Sequence, residues 1–147
     1  MFKKIIWATD GSDPADRAFE VAKALASQEG ATLVAVHSVE FLGGGPRSAN
    51  LPVDADEDER QAKIEKQVAE LTQQGLSARS RVVGAGTTGA AHVVAEVAEQ
   101  EDADLIVCGT RGHTALVGLT VGSVTQRLLH IAPCPVLVVP PHGARSS

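Results

Sequence analysis

Short apolar runs alternate with stretches whose apolar residues recur at helical spacing along the whole chain, and this alternation constrains the fold more than any other feature. "KKIIWA" is a first strand. "TDGSDPADRAFEVAKALASQEG" then reads as a helix: Asp13 is placed to cap it, Pro14 to occupy its first position, and Ala18, Ala22 and Leu25 to face inward until Gly30 ends it. "TLVAVHSV" is a second strand, and the Gly- and Pro-rich loop from Leu42 to Asp54 leads to a charged helix with Ile64, Val68 and Leu71 on its inner face, stopped by Gly75.

"SARSRVV" sets Arg79 and Arg81 among smaller residues, the pattern of a strand wet on one face at a sheet edge. A helix with Ala91, Val94 and Ala98 inward follows. "DLIVCG" and "CPVLVVP" are continuous apolar runs, as strands covered on both faces should be, and Val121, Val124, Leu128 and Ile131 repeat at helical spacing between them. Such β-α alternation predicts a doubly wound, mostly parallel five-stranded α/β sheet with helices on both faces, Rossmann-like in plan. At 147 residues the chain is one domain, with a polar tail from about residue 141.

Composition removes several classes of function. No apolar run approaches the roughly 20 residues of a membrane span, so no membrane partner is expected. The apolar stretch after Lys3 and Lys4 runs straight into Asp10, so it reads as a strand and not a signal sequence, and the expected location is cytoplasmic. The net charge is -5 and the basic residues are scattered. With one Trp, three Phe and no Tyr there is little to stack on bases, so nucleic acid is not an expected partner. Cys108 and Cys134 fall at opposite ends of two parallel strands, too far apart to bridge, and read as small buried hydrophobes. The histidines at 37, 92, 113, 130 and 142 show no metal-site spacing; a lone histidine reads as structural or solvated.

In an open α/β sheet, ligands bind beyond the carboxyl ends of the strands where the winding reverses. Two such ends are equipped here, "ATDGSD" after strand 1 and "GTRGHTALVGLTVGS" after strand 4, and they form one crevice if those strands are neighbours. The second segment delivers Gly122, Ser123 and Val124 to a helix start, where free N–H groups and the dipole favour an anion such as phosphate. Glycine lets backbone N–H groups approach phosphate oxygens without a Cβ in the way. Gly109 is expected to turn the chain off the strand, Gly112 to reshape the loop and Gly122 to clear the helix start. Taken singly, each is also an ordinary turn glycine, and Ser123 also reads as a helix cap.

Gly109, two residues, Gly112, nine residues and Gly122-Ser123 resemble the G-x2-G-x9-G-[S/T] loop of the ATP-binding universal stress proteins. The resemblance extends over the chain, through "KKIIWATDGS", "DLIVCGTRG" and "CPVLVVP". It implies a strand order of 3-2-1-4-5, with strands 1 and 4 adjacent. It implies ATP, or ADP or AMP, as ligand, with Mg²⁺ accompanying the nucleotide. Carried over by position, Asp10 would hold ribose hydroxyls or sit near a metal, Ser38 would offer backbone groups to adenine, and Ala8 and Thr9 would line the pocket. Gly109, Arg111, Gly112, Gly122, Ser123 and Val124 would surround ribose and phosphates. Ala8 departs from the family, where proline is common at this wall.

A homodimer through strand 5, Val136 to Val139, follows from an apolar strand left at the edge of that order, and the resemblance implies the same interface. A nucleotide-dependent regulatory or stress-response protein is the expected function, with at most slow hydrolysis. The chain has no lysine after Lys66, hence none of the kind a P-loop places at the phosphates. An ATP-consuming enzyme of similar architecture would need further charged groups around the γ-phosphate, and a nucleotide-free dimeric interaction module would have no use for the glycine loop.

Overall fold

The computed structural model describes residues 1–12, 15–39, 57–110 and 122–141. Within them the order is β1 (Lys4–Thr9), α1 (Asp16–Glu29), β2 (Thr32–Val39), α2 (Glu57–Gln73), β3 (Ala78–Gly84), α3 (Ala90–Gln100), β4 (Leu105–Gly109), α4 (Ser123–Ile131) and β5 (Val136–Val139). The five strands form one sheet in the order β3-β2-β1-β4-β5, every pair parallel. The doubly wound architecture read from the sequence is therefore the observed one, and β1 lies between β2 and β4 at the point where the winding reverses.

Side chains that alternate along each strand divide the core into two layers. Ile5 and Trp7 of β1, Leu33 and Ala35 of β2, and Leu105 and Val107 of β4 pack with Ala18, Phe19, Ala22 and Ala26 of α1 and with Ile64, Val68 and Leu71 of α2. Ile6, Val34, Val36, Ile106 and Cys108 pack on the other side with Ala91, Val94, Val97 and Ala98 of α3 and Leu128 of α4. Trp7 and Phe19 set the depth of the first layer, their ring centroids 4.8 Å apart. Leu25 joins that layer partly buried. At roughly 1.5–3 kcal/mol for each large aliphatic or aromatic side chain removed from water, these layers are what drives the chain to this sheet.

Punctuation follows the expected residues at the helix ends. Gly30 adopts φ 65° past α1 and donates its N–H to Ala26 O, and Gly75 follows α2 with φ 88°. The start of α1 differs from expectation, for the helix begins at Asp16 with Ala15 in the N-cap position; Asp13 and Pro14 lie outside the described residues. β3 is an edge strand, as its alternation implies, and its Arg79 and Arg81 both reach Glu101 at the end of α3. β5 is the opposite edge. There the expectation of a strand covered on both faces fails: Leu137 is 38% exposed, Val136 and Val138 are half-buried, and only Val139 is buried.

The inner face of α4 is also not the one the apolar spacing implies. Leu128 is buried and Ile131 packs beside it, but Val124 is 46% exposed, and Thr125 takes the inward position at the first turn. Its hydroxyl explains why: Thr125 Oγ1 donates to Gly109 O at 2.9 Å, so a polar side chain is stable facing the sheet. Val121 lies outside the described residues.

Candidate functional site

The carboxyl ends of β2, β1 and β4 lie side by side. Pairing of β1 with β2 sets Ala8 beside Val36 and Thr9 beside His37, and Ser38 is the next residue of β2. The β1–β4 ladder ends with Trp7 opposite Val107, so two residues further on Thr9 comes abreast of Gly109. The sheet thus brings together Ala8, Thr9, Asp10, Ser38 and Gly109 at the winding reversal, where a ligand crevice is expected in this architecture.

Each of these residues has a definite local setting. Ala8 is partly buried against the α3/α4 layer. Thr9 is buried, and its Oγ1 accepts the Gly11 N–H at 3.0 Å. Asp10 Oδ1 accepts the Ser12 N–H at 3.0 Å and the Ser12 hydroxyl as well, which fixes the half-buried carboxylate at the strand end. Ser38 Oγ is buried without a hydrogen-bond partner among the described residues, an orphan of the kind that points to an absent polar neighbour. Gly109 closes β4 opposite Val139 and so continues the ladder; it is not among the glycines with positive φ, and the chain leaves the sheet only after it.

Gly122, not Ser123, is the N-cap of α4, with φ -64° and no side-chain cap. Ser123 is the first helical residue and is exposed, as is Val124. The first intrahelical bond of α4 runs from Gln126 N–H to Gly122 O at 2.9 Å, so the N–H groups of Ser123, Val124 and Thr125 precede it and have no acceptor within the helix's own ladder. Gly122 N–H itself donates to Thr110 O at 2.6 Å, and Thr110 N–H to Val139 O at 3.2 Å. Together with the Thr125–Gly109 bond this fastens the start of α4 to the end of β4. Arg111 and Gly112, and the loop from Leu42 to Asp54, lie outside the described residues.

Sequence reasoning missed a buried polar group at the same end of the sheet. His37 Nδ1 donates to Thr9 O at 3.1 Å, and Nε2 meets Glu57 Oε1 in the first turn of α2. Arg60 NH2 stands 3.5 Å from Glu57 Oε2. The available signal was a histidine set inside an apolar strand, "LVAVHSV", where a buried ring requires partners for both nitrogens. Burial likewise pushes the Cys108 thiol up to about 11, while Cys134 is half-buried and raised in the same direction by desolvation first and by the charge of Asp104 second. Both cysteines are free thiols. Among the described residues no cluster of His, Cys, Asp or Glu forms a metal site, and no helix is long and apolar enough to cross a membrane.

The residues present fit an adenine nucleotide. An uncapped helix start offers N–H groups to phosphate, Asp10 offers a fixed carboxylate to hydroxyls or to a cation, and the Ser38 hydroxyl is an unmatched polar atom on the far side of β1.

Comparison with known proteins agrees with the fold. The family model described as "Universal stress protein family" matches residues 1–140. A universal stress protein of Thermus aquaticus is 40% identical over 143 residues, which cover 95% of this chain and 99% of that relative. Among solved structures, a universal stress protein family member from Burkholderia pseudomallei superposes with a TM-score of 0.71 at 30% identity, covering 94% of this chain and 96% of its own. A universal stress protein from Archaeoglobus fulgidus, solved in complex with dAMP, superposes with a TM-score of 0.68 at 26% identity over 92% and 96% of the two chains. On the extent of these matches and on the order of its sheet, this chain belongs to the universal stress protein family.

Proposed function

We propose that this chain binds an adenine nucleotide, ATP with Mg²⁺, in the crevice between the ends of β1 and β4, and that it works as a nucleotide-dependent regulatory protein. The observation that carries the reading is the meeting, at one end of the sheet, of the Asp10 turn, the orphaned Ser38 hydroxyl and the uncapped start of α4. The dAMP complex of the Archaeoglobus fulgidus relative supports an adenine nucleotide as the ligand class.

In this reading Ser123 and Val124 give backbone N–H groups to the phosphates, Gly122, whose own N–H is held by Thr110 O, leaves the helix start clear of a Cβ, and Gly109, Arg111 and Gly112 supply the rest of the cradle. Asp10 holds the ribose hydroxyls or sits near the cation, Ala8 and Thr9 wall the pocket, and Ser38 faces adenine. Mg²⁺ travels with the nucleotide and offsets phosphate charge. Phosphoryl transfer depends on charge positioned at the γ-phosphate, where an arginine finger alone is worth roughly 10³–10⁵ in rate. A cradle of backbone N–H groups therefore binds well and hydrolyses slowly, far below the roughly 1–100 s⁻¹ of protein kinases. The exposed edge at β5 fits a homodimer formed by Val136 to Val139 of two copies.

Titration calorimetry with ATP and Mg²⁺ on the wild type and on Gly122→Val tests the site. The wild type binds and the variant, whose branched side chain occupies the phosphate position, loses binding. An unchanged affinity in the variant removes α4 from the site.

A further inference from the structure

His37 stands in β2 after the buried aliphatic run from Leu33 to Val36, is 1% exposed and has both ring nitrogens engaged. Nδ1 faces the carbonyl of Thr9, which can only accept, so Nδ1 carries a hydrogen. Nε2 faces Glu57 Oε1, and one proton lies between them whichever atom holds it. Glu57 is itself 7% exposed, with Arg60 beside its second oxygen. An apolar residue would fill the position of His37 without needing partners. The imidazole instead joins two elements that no strand pairing joins, the end of β1 and the first turn of α2.

A second contact, independent of the ring, joins the same two elements. Gly11, at φ 76°, lies so close to α2 that a Cβ there would stand 2.6 Å from Arg60 Cβ and 2.9 Å from Arg60 O. The loop that leaves β1 therefore rests directly on the backbone of α2's first turn. Its own bonds, Gly11 N–H to Thr9 Oγ1 and Ser12 N–H to Asp10 Oδ1, are made on that support.

We propose that His37 and Glu57 are a positioning pair: they lock the first turn of α2 onto the loop after β1 and thereby set the conformation in which Asp10 is presented. Its bearing on ligand rests on the nucleotide reading above; the lock itself does not. Removing Glu57 leaves His37 Nε2 without its counterpart in the interior, removing His37 leaves both Glu57 Oε1 and the Thr9 carbonyl without theirs, and in either case the first turn of α2 loses its tie to the end of β1. The consequence is local, because the sheet and both core layers are held by apolar packing elsewhere.

The test is residue-resolved amide exchange on the full chain, with ATP–Mg²⁺ affinity measured on the same samples. In Glu57→Ala, exchange at Gly11 and Ser12 rises by about tenfold while Leu33 and Ile106 in the central strands are unchanged. Glu57→Gln, whose amide can donate to the neutral Nε2, behaves as the wild type. ATP affinity falls about tenfold in Glu57→Ala and is restored in Glu57→Gln. Unchanged exchange at Gly11 and Ser12, or equal loss at Leu33 and Ile106, overturns the proposal. Faster loop exchange with unchanged affinity, or a wild type that binds no ATP, removes Asp10 from the nucleotide site and leaves the pair standing. The ¹⁵N spectrum of the His37 ring decides the matter in the wild type alone, should Glu57→Ala not fold: Nδ1 is protonated, and a ring protonated only at Nε2 overturns the proposal.

Discussion

Gly11 meets Arg60 with no room for even a methyl group between them, although the two residues belong to different elements. Gly30 and Gly75 also have positive φ, but a Cβ on either would meet nothing within 4 Å. The three positions therefore separate backbone strain from steric contact.

Gly11→Ala is expected to cost about 2–4 kcal/mol, the sum of a left-handed alanine and a displaced α2, whereas Gly75→Ala costs about 1 kcal/mol from conformation alone. Urea denaturation of the two variants checks this. Equal losses would mean that the loop does not rest on α2.

Glu101 accepts from Arg79 NH1 at 2.9 Å, with Arg79 NH2 closer still, and lies 3.4 Å from Arg81 and 3.5 Å from Lys4. The Arg79 bond, followed by its charge and those of Lys4, holds the Glu101 carboxyl at about 2, below its ordinary 4.5. A carboxyl lowered in the folded state stabilises fully above its unfolded value and loses that contribution as pH falls from about 4.5 towards 2. Arg79 is half exposed, so solvent screening limits the effect to about 1 kcal/mol. Glu101→Gln should accordingly be less stable than the wild type at pH 7 and converge with it near pH 2, as followed by thermal unfolding across that range.

Thiol reactivity should separate the two cysteines. Cys108, buried and pushed up to about 11, holds almost no thiolate at pH 7.5, while Cys134 is half-buried at the other end of the sheet. Ellman's reagent is expected to modify one thiol per chain in the folded protein and two in urea. Cys134→Ser abolishes the reaction in the folded state, and persistence of that reaction would place Cys108 within reach of solvent.

Leu137 is the exposed member of the β5 edge, while Val138 is half-buried against the α3/α4 layer. Leu137→Lys is thus the cleaner test of a β5 homodimer, since Val138→Lys would also put a charge into the core. Sedimentation equilibrium should give a dimer for the wild type and a monomer for Leu137→Lys. A monomeric wild type sinks the interface.

The fold was legible because its strands and helices have different hydrophobic periods, and period alone placed Ile64, Val68, Leu71, Ala91, Val94 and Ala98 on buried faces. The same reasoning misplaced Val124, because Thr125 earns its inward position by a hydrogen bond to Gly109 that no hydrophobic pattern encodes. The glycine spacing marked the start of α4 but not which residue caps it, since Gly122 and Ser123 both suit that position. His37 was visible only as a lone polar residue in a strand. Its partner Glu57 lies twenty positions on in the chain, and tertiary structure alone brings the two together.

The bonds from Gly122 N–H to Thr110 O and from Thr125 Oγ1 to Gly109 O clasp the two ends of the intervening segment to each other. The fold therefore sets the span of that segment but not its length. Doubling the residues between such fixed ends costs only about 0.6 kcal/mol of closure entropy. A change in the number of residues between Thr110 and Gly122 is therefore expected to leave the sheet and α4 in place.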